Sequence, residues 1–293
     1  MTLAQAQVFV RVMTRAEART LQEWLVREQW DEGEYDADVL FDIDPEGFWA
    51  ILDDAGEIVG GLSIIASTDS VATISHFYIA TEARGRGYAR RALPQLLEIH
   101  GHRIHDNVAI TNFCWPHAVD ASARWGFAPL HQEIRMVRAP GPWVDPIPDP
   151  LVVDARTLDP EDIVAFDEVC SGRSRETLWR RWLDLPGSAS LALLDARGAI
   201  TGLGAIRPSA LGFRVGPLLT ASPQGARQLL ERLVPFAGGQ RVAIDVPTAN
   251  PHAEPLARDF DFVEDFRTVR TVWGRAPEIP WRMNYATVML HLD

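Results

Sequence analysis

The hydrophobic pattern of the chain changes period several times. "VATISHFYIA" (71–80) is dense in β-branched and aromatic residues and predicts a strand. "YARRALPQLLEI" follows with an amphipathic helical spacing, Pro94 falling early enough to be tolerated. Thr14-Arg15-Ala16-Glu17 has the spacing of a capping box, in which the hydroxyl and the carboxylate satisfy each other's free amides. The first half therefore reads as helix 14–30, strands 47–53, 57–66 and 71–80, helix 87–100, strand 107–111, helix 116–125 and strand 130–138. Helices on a mostly antiparallel sheet follow from that order.

The second half repeats the pattern. "WAILDDAGEIVGGLSI" (49–64) aligns with "LALLDARGAITGLGAI" (191–206) at an offset of 142, with seven of sixteen positions identical. Both read as strand, Asp/Gly turn, strand. "NVAIT" (107–111) mirrors "RVAID" (241–245), and "GFAPLHQEIRMV" (126–137) mirrors "DFVEDFRTVRTV" (261–272). Three matches in one order point to a duplicated domain. Asp159-Pro160-Glu161-Asp162 opens the second copy as a capped helix. "APGPWVDPIPDP" (139–150), with five prolines, is extended backbone between the copies. The division is 1–140, a linker at 141–150, and 151–293.

Composition narrows the class. With 47% hydrophobic and 23% charged residues the chain is globular, and 293 residues suffice for two domains. A net charge of -12 with scattered arginines argues against nucleic acid or an anionic membrane surface and favours a cationic partner. Two cysteines, Cys114 and Cys170, make neither a disulfide framework nor a zinc site, so no metal is expected. The start carries no secretory pattern and no apolar run reaches membrane-span length, which reads as cytoplasmic. A monomer and a homodimer are both open.

"TEARGRGYARRAL" (81–93) carries the candidate chemistry. It joins a strand end to a helix start, where free amides and the helix dipole favour an anion. Gly85 and Gly87 let the backbone wrap a phosphate, and Arg84 and Arg86 add charge. A plain turn and an RNA-binding tail are the other readings. The run is neither a P-loop nor a dinucleotide fingerprint, since no Lys-Ser/Thr follows and Arg90 holds the third glycine position.

Arg84-x-x-Gly87-x-Ala89 resembles the R/Q-x-x-G-x-G/A signature of the GNAT acyltransferases, and Gly126-Phe127 stands where that family closes a later helix. "EQWDEGEYDADVLFDIDPEGFWAILDDAGEIVGG", "GPLLT" and "DVPTAN" extend the likeness to tandem GNAT proteins of the YitH type. The resemblance implies an α+β fold of two tandem GNAT-like domains, each a mostly antiparallel twisted sheet flanked by helices, the second degenerate. It implies acetyl-CoA as co-substrate, held by Tyr78, Ile79, Ala80, Arg84, Gly85, Arg86, Gly87, Tyr88 and Ala89. An amide at Ile79 or Ala80 would polarise the thioester, and an amine would attack it directly. The tyrosine that family members place near the sulfur is Ser122 here, which would donate weakly or sit on the helix surface. His76 has the intrinsic pKa of a base, and Glu82 lies at the strand exit. His76 as a structural histidine, and Tyr78 as core packing, are the alternatives.

For the acceptor, Trp30, Asp31, Tyr35 and Asp36 interleave rings with carboxylates in a way that suits a small cationic amine. Asp245, after the second copy's strand, would face the same cleft. "TASPQGAR" (220–227) replaces the loop's arginines with Pro223 and Gln224, so one CoA is expected per chain. The expected function is an N-acetyltransferase. A non-catalytic acyl-CoA sensor, favoured by the missing tyrosine, and a purely structural module are the alternatives.

Overall fold

The computed structural model describes residues 8–103, 109–143 and 147–292. Its first half runs β1 (Phe9–Val12), α1 (Arg15–Arg27), α2 (Asp36–Ile43), β2 (Phe48–Leu52), β3 (Ile58–Thr68), β4 (Val71–Ile79), α3 (Tyr88–Arg103), β5 (Ala109–Cys114), α4 (Val119–Ala123) and β6 (Ala128–Arg138). The second half repeats this series. It runs β7 (Val152–Asp154), α5 (Pro160–Ser171), α6 (Glu176–Trp182), β8 (Ala189–Leu194), β9 (Ile200–Ser209), β10 (Gly212–Thr220), α7 (Pro223–Phe236), β11 (Val242–Pro247), α8 (Ala253–Asp259) and β12 (Val263–Trp273). A further strand, β13 (Asn284–Ala286), has no counterpart in the first half.

Local chemistry sets the element ends. Thr14 and Glu17 form the reciprocal cap of α1, and Asp159 accepts from the Glu161 amide at 3.0 Å. Asp53 closes its hairpin by accepting from the Ala55 and Glu57 amides, and Asp195 does the same from Arg197 and Ala199. Two expectations differ in detail. The segment around Asp36 is helical rather than a loop, because α2 buries Ala37, Val39 and Leu40 in a core that the local pattern does not reveal. The predicted helix 116–125 is a 3-10 turn followed by the short α4. Positions 107 and 108 of the predicted fifth strand lie outside the described residues.

One sheet runs through both halves in the order β1-β2-β3-β4-β5-β12-β6-β11-β10-β9-β8-β7. The halves exchange their last strands. β12 pairs with β5, β6 pairs with β11, and β6 and β12 pair with each other at the centre. Most neighbours are antiparallel; β4 with β5 and β10 with β11 are parallel.

Three cores result. One face of the sheet carries α1, α2, α5 and α6 over a core shared by both halves, including Leu21, Leu40, Trp179 and Met289. The other face carries α3 over Ala72, Ile74 and Ile110, and α7 over Val215, Ile244 and Ile134. Full burial of one such side chain is worth roughly 1.5–3 kcal/mol, so the shared core and the exchanged strands bind the halves into one unit.

Candidate active site

The parallel pairing of β4 with β5 covers only Val71–Ile74 against Ala109–Asn112. Beyond Ile74 the strands part and leave a notch. A bulge at His76, whose φ of 51° is left-handed, lies at the start of the free stretch, and the β3 register shifts there. The Ala80 amide donates to the Val59 carbonyl at 2.9 Å, so it is not available to a thioester. Amides alternate sides along a strand, so Ile79, between Tyr78 and Ala80, turns its N–H toward the notch. Of the two expected amides, Ile79 is the one with the right direction.

The Arg/Gly loop lies past the free end of β4. Gly85 and Gly87 have φ of +77° and +79°, a conformation that side chains disfavour. The α3 amides of Tyr88, Ala89 and Arg90 are first-turn donors without intrahelical acceptors, aimed at whatever the loop encloses. The Tyr88 ring is buried in the α3 core, so only its backbone faces the loop. Arg84 is anchored: it donates to the Ile79 carbonyl at 2.9 Å and to Glu28 at 2.7 Å, and it stacks on Tyr78. The Tyr78 hydroxyl donates to the same Glu28, and its ring packs on Trp24. Arg86 and Arg90 remain exposed beside the loop.

The second half builds the same parts and closes them. β10 and β11 pair in parallel only over Phe213–Val215 and Val242–Ile244. Past that point β13 fills the gap, pairing Leu218 with Ala286 and Leu219 with Asn284. The fit is close enough that a Cβ on Gly216 would meet the Thr287 carbonyl at 2.2 Å. At the helix start, Ser222 caps the Gly225 amide at 3.1 Å and Pro223 has no amide.

The comparisons agree with this geometry. Residues 16–116 match the model of the Acetyltransferase (GNAT) family, and residues 163–286 match an Acetyltransferase (GNAT) domain model. The chain belongs to the GNAT superfamily, tandem type. It is 28% identical over 264 residues to the holothin acyltransferase of Pseudoalteromonas sp. (strain SANK 73390), covering 89% of this chain and 86% of that protein. A Pyrococcus horikoshii structure described as a candidate acetyltransferase superposes with a TM-score of 0.78 at 18% identity, covering 99% of this chain and 97% of that one. A tandem GNAT protein from the clavulanic acid biosynthesis pathway gives 0.62 at 14% identity, covering 93% and 100%. This GNAT chain is accordingly an acyltransferase.

Within the GNAT frame, several expected site residues take other roles. His76 is 2% exposed, with Nδ1 2.7 Å from Ser63 Oγ and Nε2 3.5 Å from Glu32. Nδ1 is taken by Ser63, and the buried ring turns Nε2 toward Glu32 at more than an ordinary hydrogen-bond length, which sets His76 inside this cluster. Burial, then the neighbouring His291, lowers its pKa against the pull of Glu32, which keeps the ring neutral. Glu82 is exposed on the 3-10 turn Thr81–Ala83, apart from this cluster. Ser122 lies on α4 with a buried Oγ that has no hydrogen-bond partner.

The acceptor carboxylates are corrected more sharply. Asp36 is fully buried and held by both arms of Arg207 at 2.9 Å. Asp31 receives Arg241 at 2.6 Å and the Leu211 amide at 3.1 Å. Asp245 is gripped by Arg135 and by Arg214, the latter at 2.5 Å. These three carboxylates are not open to a substrate cation; they tie the halves together. Burial would raise the Asp245 carboxyl, but Arg135 and Arg214 hold it at about 2. Trp30 stays 39% exposed, Tyr35 half-buried and Glu34 exposed, so the rings and one carboxylate of that stretch face outward.

Sequence reasoning missed Ser75 and His291, and it took Glu32 only as one more carboxylate of the acceptor stretch. Burial would raise the Glu32 carboxyl, but His291 and His76 hold it well below the usual range. His291 comes from the segment after β13, and its Nε2 is 3.0 Å from Glu32 while its Nδ1 bonds Ser75 Oγ. The one available signal was a histidine close to the end of a chain that otherwise runs apolar there.

Proposed function

We propose that the protein transfers an acyl group, acetyl in the simplest case, from coenzyme A to the amine of a small molecule by direct attack. The observation that carries this reading is the notch between β4 and β5 with the Arg84–Ala89 loop at its mouth. The second half has lost both features. In this reading the diphosphate lies on the loop amides with Arg86 and Arg90 beside it, and the pantetheine arm runs along the free edge of β4. The Ile79 N–H polarises the thioester carbonyl, the kind of preorganised donor that lowers an acyl-transfer barrier. Ser122, buried and unpartnered, is the donor for the leaving sulfur.

The acceptor's chemistry follows from what the notch leaves exposed. Phe77, on the free stretch of β4, is 40% exposed, and Trp115, directly after β5, is 49% exposed and packs 5.3 Å from Phe266. Aromatic faces in water suit an acceptor with an apolar or aromatic body better than a polycation. The relative acting on holothin supports acyl transfer to a small molecule. Calorimetry with CoA, then thiol release from acetyl-CoA with an amine panel, tests the reading. CoA binding without transfer to any amine would favour the acyl-CoA sensor, the reading that the serine in place of tyrosine supports.

A further inference from the structure

Two Ser–His arms converge on one carboxylate. Ser63 Oγ meets His76 Nδ1 at 2.7 Å, Ser75 Oγ meets His291 Nδ1, and both Nε2 atoms face Glu32. In a neutral His291 the Nε2 proton points to the ionised Glu32 carboxylate, which only accepts, and Nδ1 is then left to accept from Ser75. The arms differ in access. Ser63 is fully buried, whereas Ser75 is partly exposed and is the first residue of β4 past its pairing with β5.

We propose that Ser75, His291 and Glu32 form a proton relay that deprotonates the acceptor amine, with the base of the relay delivered to the first half's site by the second half's tail. This rests on the acyl-transfer reading above and deepens it. As the amine nitrogen bonds to the thioester carbon, its proton passes to Ser75 Oγ and the Ser75 proton passes to His291 Nδ1. The carbon–sulfur bond breaks, the thiolate takes a proton from solvent, directly or passed through Ser122 Oγ, which is left neutral, and His291 returns its own to solvent. Glu32 stabilises the imidazolium at Nε2.

The tail is built to hold this position. The Thr287 amide donates to the Asp245 carbonyl at 3.0 Å, and Val288 and Met289 sit in the shared core. The Leu292 carbonyl accepts from Thr73 and from Arg173, each at 3.2 Å. The groups facing His291 are Ser75 and His76 on β4 and Glu32 between α1 and α2. The ligating atoms of Glu32, His76 and His291 lie within 4.8 Å of one another, so a metal ion is the competing occupant. Charge favours the proton. In the adjoining network Arg135, Arg207, Arg214 and Arg241 face four buried carboxylates, Asp31, Asp36, Asp245 and Glu32, with the exposed Asp265 at its rim on Arg241. A dication would leave that buried network strongly positive.

The test uses the full chain with acetyl-CoA and benzylamine, tryptamine, spermidine and glycinamide. His291→Asn should lower kcat on the order of a hundredfold, the scale of general base catalysis, with CoA affinity unchanged. Normalised to the free-amine fraction, the wild-type rate should rise with one ionisation and then plateau, and the variant's should be level. If His291→Asn does not fold, Ser75→Ala, at a partly exposed position, should show the same change of pH profile. A variant with wild-type kcat and profile overturns the relay alone. So does a stoichiometric transition metal whose removal abolishes transfer, or an acyl adduct on Ser75 by intact mass. A wild type that binds CoA but acylates none of the amines sinks the acyl-transfer reading and the relay with it.

Discussion

The two notches of this molecule start from the same plan and end differently. In the first half, β4 leaves β5 after Ile74, and no strand pairs with its free edge among the described residues. In the second, β10 leaves β11 after Val215, and β13 takes the vacated edge. A strand edge is a row of free donors and acceptors. One half leaves that row unpaired by any strand among the described residues, and the other satisfies it with its own chain. The plug is not passive, since the residues after it run on to place His291 beside Ser75. On the relay proposed above, the closed copy supports the open one.

The largest effect should come from the joint that holds the halves in one frame. Asp36→Asn removes the charge that Arg207 requires and leaves a buried guanidinium without its ion pair. Breaking one partner of a buried pair typically costs about 3–5 kcal/mol. Chemical unfolding should show that loss, whereas Asp54→Ala, on an exposed turn, should move the midpoint little. A loss below about 1 kcal/mol for Asp36→Asn would mean that the joint is not what aligns the notches.

Acid should loosen the same joint. The folded-state pKa of Asp245 is about 2, below its ordinary 3.8. Its contribution is therefore complete above the unfolded value and is lost as pH falls through the folded one. That amounts to about 2 kcal/mol between pH 4 and 2. Asp245→Asn should be less stable at neutral pH but flatter over that window. A wild-type stability that is level from pH 4 to 2 contradicts this assignment.

The sequence and the fold differ most where partners are far apart. The hairpin turns at Asp53 and Asp195, the α1 cap and the left-handed glycines at the junction of β4 and α3 are local chemistry, and each forms where the sequence places it. Asp31, Asp36 and Asp245 looked open because their arginines come from distant parts of the chain. Those arginines had seemed merely scattered; folding turns them inward onto one seam. The strand exchange of β6 and β12 has no local signature, because either copy would satisfy the same apolar pattern. His291 and Ser75 are 216 positions apart, a separation at which no periodicity speaks.

The loop comparison predicts a smaller effect, on binding. Gly87→Val forces a β-branched residue into a φ of +79° and brings its Cβ to 3.0 Å from the Arg91 guanidinium beside the loop. CoA affinity should fall at least about tenfold, or about 1.4 kcal/mol, by calorimetry. Gly225→Val, at the matching position of the plugged half, strains the Ser222 cap but should leave CoA affinity and a stoichiometry of one unchanged. A second equivalent of CoA on the wild type would show that β13 does not close its notch.

The smallest effect separates the two arginines of the signature. Arg84 is committed to Glu28 and the Ile79 carbonyl, so its charge is largely balanced before any ligand arrives. The expected role of Arg84 is to shape the loop and position the strand end rather than to reach the diphosphate. Glu28→Gln loosens that anchor on a half-exposed surface, where such pairs are weak, and CoA affinity should change only about two- to threefold. Arg86 is exposed, with no side-chain partner among the described residues beyond the loop itself. Removing it deletes a charge that the phosphates would otherwise meet. Arg86→Ala should therefore flatten the salt dependence of CoA binding, because fewer screened contacts remain. Glu28→Gln should leave that slope as it is. Equal slopes in wild type and Arg86→Ala would mean that the amides hold the diphosphate unaided. A slope lost in Glu28→Gln would return Arg84 to the phosphates.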